Sequence, residues 1–358
     1  MLPILLIPTT YLLLTLLLPA PTTPTRAKTP LLALNFPDPC IIQDAATGQW
    51  YAFATGSWTH PPQTPNNNNN TTTTPTWKNI QAATAPSPNG KWTYLPDTDP
   101  LPSAGAWTAP GPGSQTWAPS VIHLGNNSSD YVLYYAAQLG DPPGSQFHCI
   151  GAAVSHTGVL GPYLPLAEPV VCPLDQGGAI DPSGFLDPVS GRRFFLYKVD
   201  GNALGEGGEC NNGVGEGRRR RSVRQGGDGG EGVGLVGEGV EVLDRVGEVD
   251  GPLVEAPDLV YCKGYGYVLF YSNHCWDGPG YSVNYAVARN IEGPYERGKG
   301  GRLIGTGDAF NVTAPGGAAS VPGGSGGGWM VLFHGDCPQG RCLFGAGMEV
   351  TGGMVVVS

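Results

Sequence analysis

Short runs of aromatic and branched apolar residues, bounded by Gly, Pro, Asn or Asp, recur along this chain with no helical period. They occupy residues 50–55, 131–136, 194–199, 267–272 and 329–334, and each follows an opening with a proline. The openings are Asp38-Pro39, Ala118-Pro119, Asp181-Pro182, Glu255-Ala256-Pro257 and Ala314-Pro315. The count is 13 residues from Asp38 to Tyr51, from Ala118 to Tyr131 and from Asp181 to Phe194, and 12 from Glu255 to Tyr267. Runs of this length and composition between turn residues read as strands. Further runs at 80–85, 150–155 and 285–289, each closed by a glycine-led turn, read as outer strands. A repeat of roughly 60 to 80 residues made of such strands is one small antiparallel sheet, the unit of a propeller. Five copies predict an all-β fold, a five-bladed β-propeller.

In a propeller the innermost strand of each blade lies along a common axis. Residues at one place in the repeat then converge. Three of the five openings put a carboxylate there, namely Asp38, Asp181 and Glu255, while the second puts the indole of Trp117 beside Ala118. An indole at a mouth offers a flat apolar face to a sugar ring, and a packed core indole is the competing reading. Asp-Pro is also a common turn opener, so each aspartate alone has a structural reading.

Composition narrows the choice. The 56 glycines and 35 prolines exclude a mainly helical chain. A net charge of −10 with 13% charged residues disfavours nucleic acid and anionic membrane as partners. Residues 1–27 carry a leucine-rich run and end in Thr25-Arg26-Ala27, which reads as a secretory signal preceding a catalytic domain over 28–358. Eight cysteines without a C-x-x-C pair, and sequons at Asn69, Asn70, Asn126, Asn127 and Asn311, fit an extracellular protein. Cys337 and Cys342 are placed to bridge a tight loop. Residues 66–74 form a low-complexity loop. Residues 205–251, rich in Gly and Glu with an arginine run at 218–221, read as a variable and flexible segment in which only 240–243 resembles a strand.

Three carboxylates in one cleft can divide acid and base work, because like charges held together keep one group protonated while its neighbours stay ionised. Glycoside hydrolysis needs that division, with a general acid at the leaving oxygen and a base for water on the opposite face.

Phe36-Pro37-Asp38-Pro39, Trp117-Ala118-Pro119, Ile180-Asp181-Pro182-Ser183, Val254-Glu255-Ala256-Pro257 and His334-Gly335 resemble, in order, the motifs of glycoside hydrolase family 43, in its secreted fungal branch. The resemblance runs from about Asn35 to about Val350 and implies an inverting hydrolase of α-L-arabinofuranosyl or β-D-xylosyl linkages in plant cell walls. It implies Asp38 as general base, Asp181 as the residue that tunes and orients its partner, and Glu255 as general acid. It places His334 at the axis, near a water or a structural calcium with no cofactor otherwise required, and Arg341 on the substrate side. Pro37 stands where endo-arabinanases of the family often carry His, which leans the reading toward exo-acting members. The implied partner is arabinan, arabinoxylan or a xylo-oligosaccharide, taken by a monomer.

Two other readings remain open on sequence. A retaining fructan-active propeller also begins with Asp-Pro, but it carries Arg-Asp-Pro and Glu-Cys where this chain has Ile180-Asp181-Pro182 and Glu255-Ala256. A non-catalytic carbohydrate-binding propeller needs aromatic platforms more than three acids.

Overall fold

The structure is a computed structural model that describes residues 29–59, 75–125, 129–204, 223–228, 233, 235–299, 301–323 and 328–358. The expected signal segment, the 66–74 loop, the sequons at Asn69, Asn70, Asn126 and Asn127, Cys210 and the 218–221 arginine run lie outside the described residues.

The strands form five antiparallel sheets in chain order. The first contains β1 (Cys40–Gln43), β2 (Trp50–Trp58), β3 (Trp77–Ala85) and β4 (Thr93–Tyr94). The second contains β5 (Trp117–His123), β6 (Tyr131–Gln138), β7 (His148–Ser155) and β8 (Leu164–Pro165). The third contains β9 (Ala179–Leu186), β10 (Arg193–Val199), β11 (Val223–Asp228) and β12 (Leu235–Leu243). The fourth contains β13 (Val254–Cys262), β14 (Gly266–Asn273), β15 (Ser282–Ala288) and β16 (Glu296–Arg297), with β17 (Ile304–Gly305) also on β15. The last contains β18 (Gly316–Pro322), β19 (Trp329–Cys337), β20 (Gly340–Thr351) and β21 (Met354–Val357). Four is thus the usual number of strands in a sheet, and the fourth sheet departs from it.

The first strands of the sheets touch in sequence, β1 with β5, β5 with β9, β9 with β13, β13 with β18, and β18 again with β1, so the ring closes on itself. A separate apolar core fills each of the junctions. Phe53 meets Leu133 between the first two sheets, Tyr134 stacks on Phe195 between the next two, and Leu196 packs with Leu269 between the third and fourth. Phe270 and Phe333 share the following core, and Leu332 with Trp50 closes the circle. The segment before β1 ties the closing junction, because the N–H groups of Leu31 and Phe36 donate to the carbonyls of Leu343 and Arg341 at 2.8 and 2.7 Å.

Three expectations are corrected. Residues 205–251 are not merely a flexible segment with one short strand: β11, β12 and a one-turn helix, α1 (Gly247–Asp250), fall within them. The physical reason is the open edge of β10, whose backbone groups need partners that even glycine-rich strands supply through the ladder. Val242 and Leu243 are buried against Leu196 and Val254. The fifth repeat opens at Gly316-Gly317 rather than at Ala314-Pro315, since β18 begins at Gly316 opposite His334. Glu255 does not share the register place of Asp38 and Asp181 either. That place belongs to Ala256, as the backbone angles below show.

Candidate active site

One residue per sheet, just before its axial strand or within that strand's first three residues, holds a left-handed backbone: Asp38 (φ 54°), Ala118 (43°), Asp181 (54°), Ala256 (49°) and Gly317 (57°). Four of these are not glycine, and such angles cost about 1 to 3 kcal/mol each, so they persist only where the surroundings hold them. The holding bonds run from sheet to sheet. The Ala118 N–H donates to Thr55 Oγ1 at 2.9 Å, the Ala256 N–H to Asp181 Oδ2 at 2.9 Å, the Gly317 N–H to Ser272 Oγ at 3.0 Å, and the Asp38 N–H to His334 Nδ1 at 3.0 Å. Every acceptor but Asp181 sits on the second strand of its sheet. Lys198 fills the same station on β10, opposite Ile180. Glu255 and Trp117 precede the left-handed residues of their sheets and pair with Ser272 and Ala136.

The Asp38 carboxylate accepts a hydrogen bond from Thr55 Oγ1 at 2.6 Å and one from Arg341 Nη1 at 3.2 Å. Burial pushes its pKa up, but the Arg341 charge and the Thr55 hydrogen bond prevail and hold it below the ordinary value. His334 contributes no full charge to this balance. Its Nδ1 lies 3.0 Å from the Asp38 N–H and 3.4 Å from Asp38 Oδ1. The shorter, correctly directed contact makes Nδ1 an acceptor, and burial pushes the ring's pKa down to about 3. The imidazole is therefore neutral, with its proton on Nε2.

At Asp181 the balance is reversed. Burial and the neighbouring Glu255 charge raise the pKa of Asp181, against the opposing pull of Lys198. Glu255 is gripped at both oxygens: Lys198 Nζ donates to Oε2 at 2.9 Å and the Tyr281 hydroxyl donates to Oε1 at 2.9 Å. Tyr281 in turn stacks on His334, with ring centroids 5.8 Å apart and planes 10° off parallel. A chain of contacts thus joins Glu255 through Tyr281 and His334 to Asp38. Asp38 and Asp181 line one cavity, and Glu255 is joined to them through these contacts.

The other two residues expected from sequence also have definite places. Arg341 lies over the Trp276 ring at 4.8 Å, between the half-exposed indole and Asp38. Trp117 is stacked on His148, with centroids 3.8 Å apart and an angle of 19°. Beneath the acids a cavity of about 400 Å³ runs along the axis, with Asp38 and Asp181 at one end, Ser120, Ser183 and Asp258 along its wall, and Phe185 and Trp329 farther down.

The fit of a calcium ion at His334 can be tested on its Nε2, which is buried and has no protein partner. Because Nδ1 accepts from Asp38, Nε2 carries the proton and cannot be a direct metal ligand. A water oxygen, which accepts, fits this atom. Among the described residues no group of three or more His, Cys, Asp or Glu is gathered to hold a metal ion. The residues do not fit a His334-bound calcium, and no chemical step is assigned to one.

Sequence reasoning missed Thr55, Lys198 and Tyr281 as site residues. Lys198 left a signal: it is the one charged residue between Phe194 and Val199, a run buried in the structure.

Asp38 and Asp181 thus stand with left-handed backbone at the axial strands of a closed ring of sheets, the first held below and the second pushed above the ordinary carboxyl range. The profile of Glycosyl hydrolases family 43 matches residues 27–351. The chain belongs to that family, and it is a glycosidase.

Solved structures agree in fold. A thermostable family-43 glycoside hydrolase aligns with a TM-score of 0.70 at 18% identity, over 93% of this chain and 96% of that one. An endo-arabinase from Bacteroides thetaiotaomicron aligns at 0.65 and 14%, over 92% and 99%. An arabinanase from Bacillus subtilis aligns at 0.59 and 19%, over 92% and 100%. At these identities the likeness shows the fold alone. A search of curated proteins finds no match. The resemblance to a secreted fungal branch is corrected by these comparisons, whose named source organisms belong to Bacteroides and Bacillus.

Proposed function

We propose that the chain is an inverting hydrolase of α-L-arabinofuranosyl or β-D-xylosyl linkages in arabinan, arabinoxylan or xylo-oligosaccharides. The observation that carries this reading is the setting of the acids: Asp38 is held by Thr55 at 2.6 Å and Arg341 at 3.2 Å, while Glu255 is gripped by Lys198 and Tyr281 at 2.9 Å each beside Asp181, whose pKa is raised by burial and by Glu255. Two carboxyls whose surroundings push them apart are the requirement for simultaneous base and acid catalysis.

In this mechanism Asp38 takes a proton from the water that attacks the anomeric carbon. Glu255 gives a proton to the departing glycosidic oxygen, and Asp181 stands beside it as the group that tunes and orients it. Asp181 also accepts the Ala256 N–H, which fixes the backbone next to Glu255. Arg341 and Trp276 face the sugar on the Asp38 side, and Trp117 offers a platform on the Glu255 register. Pro37 before Asp38 supports exo action. The disulfides Cys149–Cys172 and Cys337–Cys342, with the leucine-rich N-terminal run, support export to an oxidising compartment.

The test is proton NMR of the sugar first released from β-1,4-xylobiose and α-1,5-arabinobiose, which reports both identity and anomer. Inverted product is expected, and retained product overturns the reading. Glu255→Gln is expected to lower kcat on the same disaccharides by about 10²- to 10⁴-fold with the fold intact. Wild-type turnover in that variant removes Glu255 from the mechanism.

A further inference from the structure

Lys198 is 2% exposed at its side chain, and its ammonium contacts two carboxylates, Glu255 Oε2 at 2.9 Å and Asp200 Oδ1 at 3.3 Å. A buried lysine loses hydration, and it stays charged only where nearby anions compensate. Here burial pulls its pKa down, while Glu255, Asp200 and Asp181 more than reverse that pull. Lys198 stands on β10 at the station that Thr55, Ser272 and His334 occupy on their strands, where each of those three latches a left-handed N–H. Lys198 instead reaches across the junction to a side chain of the next sheet.

The charges facing this ammonium can be taken element by element. β9 contributes Asp181, β13 contributes Glu255, and Asp200 follows β10. Asp38 and Arg341 lie beyond and offset one another through their 3.2 Å contact. His334 and His148 are pushed to about 3 and about 4, so both are neutral near pH 7. Tyr281 is raised and keeps its proton. One cation therefore faces three carboxyls, and a single proton on the Asp181–Glu255 pair relieves part of the excess.

We propose that Lys198 is a positioning residue for the reaction: it clamps Glu255 against the Tyr281 hydroxyl and supplies the one cation that the carboxyls around the leaving oxygen share. This rests on the reading of Glu255 as the acid. A cation beside a carboxyl pair favours the ionised form, so removing it makes the pair hold its proton to higher pH. Removing the Asp200 anion does the reverse. The two neighbours should therefore move the alkaline limb of the rate profile in opposite directions, which general damage to the site would not do.

The experiment is kcat/KM against pH for the wild type, Lys198→Met, Lys198→Arg and Asp200→Asn. The substrate is whichever of the two disaccharides is cleaved, because its leaving alcohol needs protonation. The alkaline limb is expected to rise by about 1 to 3 pH units in Lys198→Met, to fall in Asp200→Asn, and to return toward wild type in Lys198→Arg. An unmoved limb in Lys198→Met, with Glu255→Gln inactive, overturns the role of Lys198 and leaves the acid assignment standing. An active Glu255→Gln overturns the acid assignment itself. If Lys198→Met does not fold, Asp200→Asn decides alone: a lowered limb supports the proposal and an unmoved one overturns it.

Discussion

Replacing Arg341 with methionine removes the charge that keeps Asp38 ionised while leaving a chain of similar length over Trp276. The guanidinium lies 3.2 Å from Asp38 Oδ1, and its side chain is 20% exposed. Without it, burial acts on Asp38 against the Thr55 hydrogen bond and the neighbouring His334, with the largest opposing charge gone. Loss of an opposite charge at this range raises a carboxyl by about 1 to 3 pH units, or about 1.4 to 4 kcal/mol. The sign follows from the role of a base. Asp38 must be ionised to accept the water proton, so the acid limb of kcat/KM moves to higher pH by that amount, and activity recovers as pH rises. The same shift acts on stability. A depressed carboxyl stabilises the fold above the unfolded-state value near 3.8 and loses that stabilisation as pH falls through its folded-state value. Wild-type protein should therefore exceed Arg341→Met in Tm at pH 6 and approach it at the most acid pH tolerated. The assay is initial rate on the cleaved disaccharide from pH 3 to 9, with thermal unfolding at both ends. A uniform fall in kcat/KM at every pH, with the acid limb unmoved, would refute the reasoning and leave Arg341 as a substrate contact only.

Two further perturbations follow from the axial packing. Gly317 has φ +57°, and a methyl group there would lie 2.7 Å from His334 Nδ1 and 2.9 Å from Cε1. Gly317→Ala should displace the imidazole that receives the Asp38 N–H, lowering kcat at least about tenfold with a stability loss of roughly 1 to 3 kcal/mol, read from rates and denaturant unfolding. Asp258 accepts the Ser320 N–H at 2.9 Å, and burial pushes its pKa up to about 7. A raised carboxyl withdraws stability as pH climbs from about 4 to 7, so Asp258→Asn, which keeps an acceptor oxygen, should raise Tm at pH 8 relative to wild type and leave it nearly unchanged at pH 4.

These consequences show which part of the site was legible in the text of the chain. The spacing of 13 residues from opening to aromatic run is set by a hairpin, and local turn geometry is what sequence records well. Asp38, Ala118 and Asp181 could be aligned on it. The same register shift falls in four sheets, between Trp117 and Ser120, Ile180 and Ser183, Glu255 and Asp258, and Gly316 and Ala319; in the fourth sheet the left-handed station holds Ala256, and the acid stands one place earlier at Glu255. From that earlier place the Glu255 carboxylate meets Lys198 and Tyr281. Both partners are distant in sequence, and neither lies in a motif. The strands within 205–251 were hidden for a related reason: a ladder edge recruits backbone, and backbone has no composition. Where a side chain is chosen for a local turn, its role could be read in advance. Where it is chosen for a neighbour across a sheet junction, as with Lys198 and Glu255, only the closed ring reveals the choice, and the pH profile is therefore the sharper probe of this site than the loss of turnover in any single acid variant.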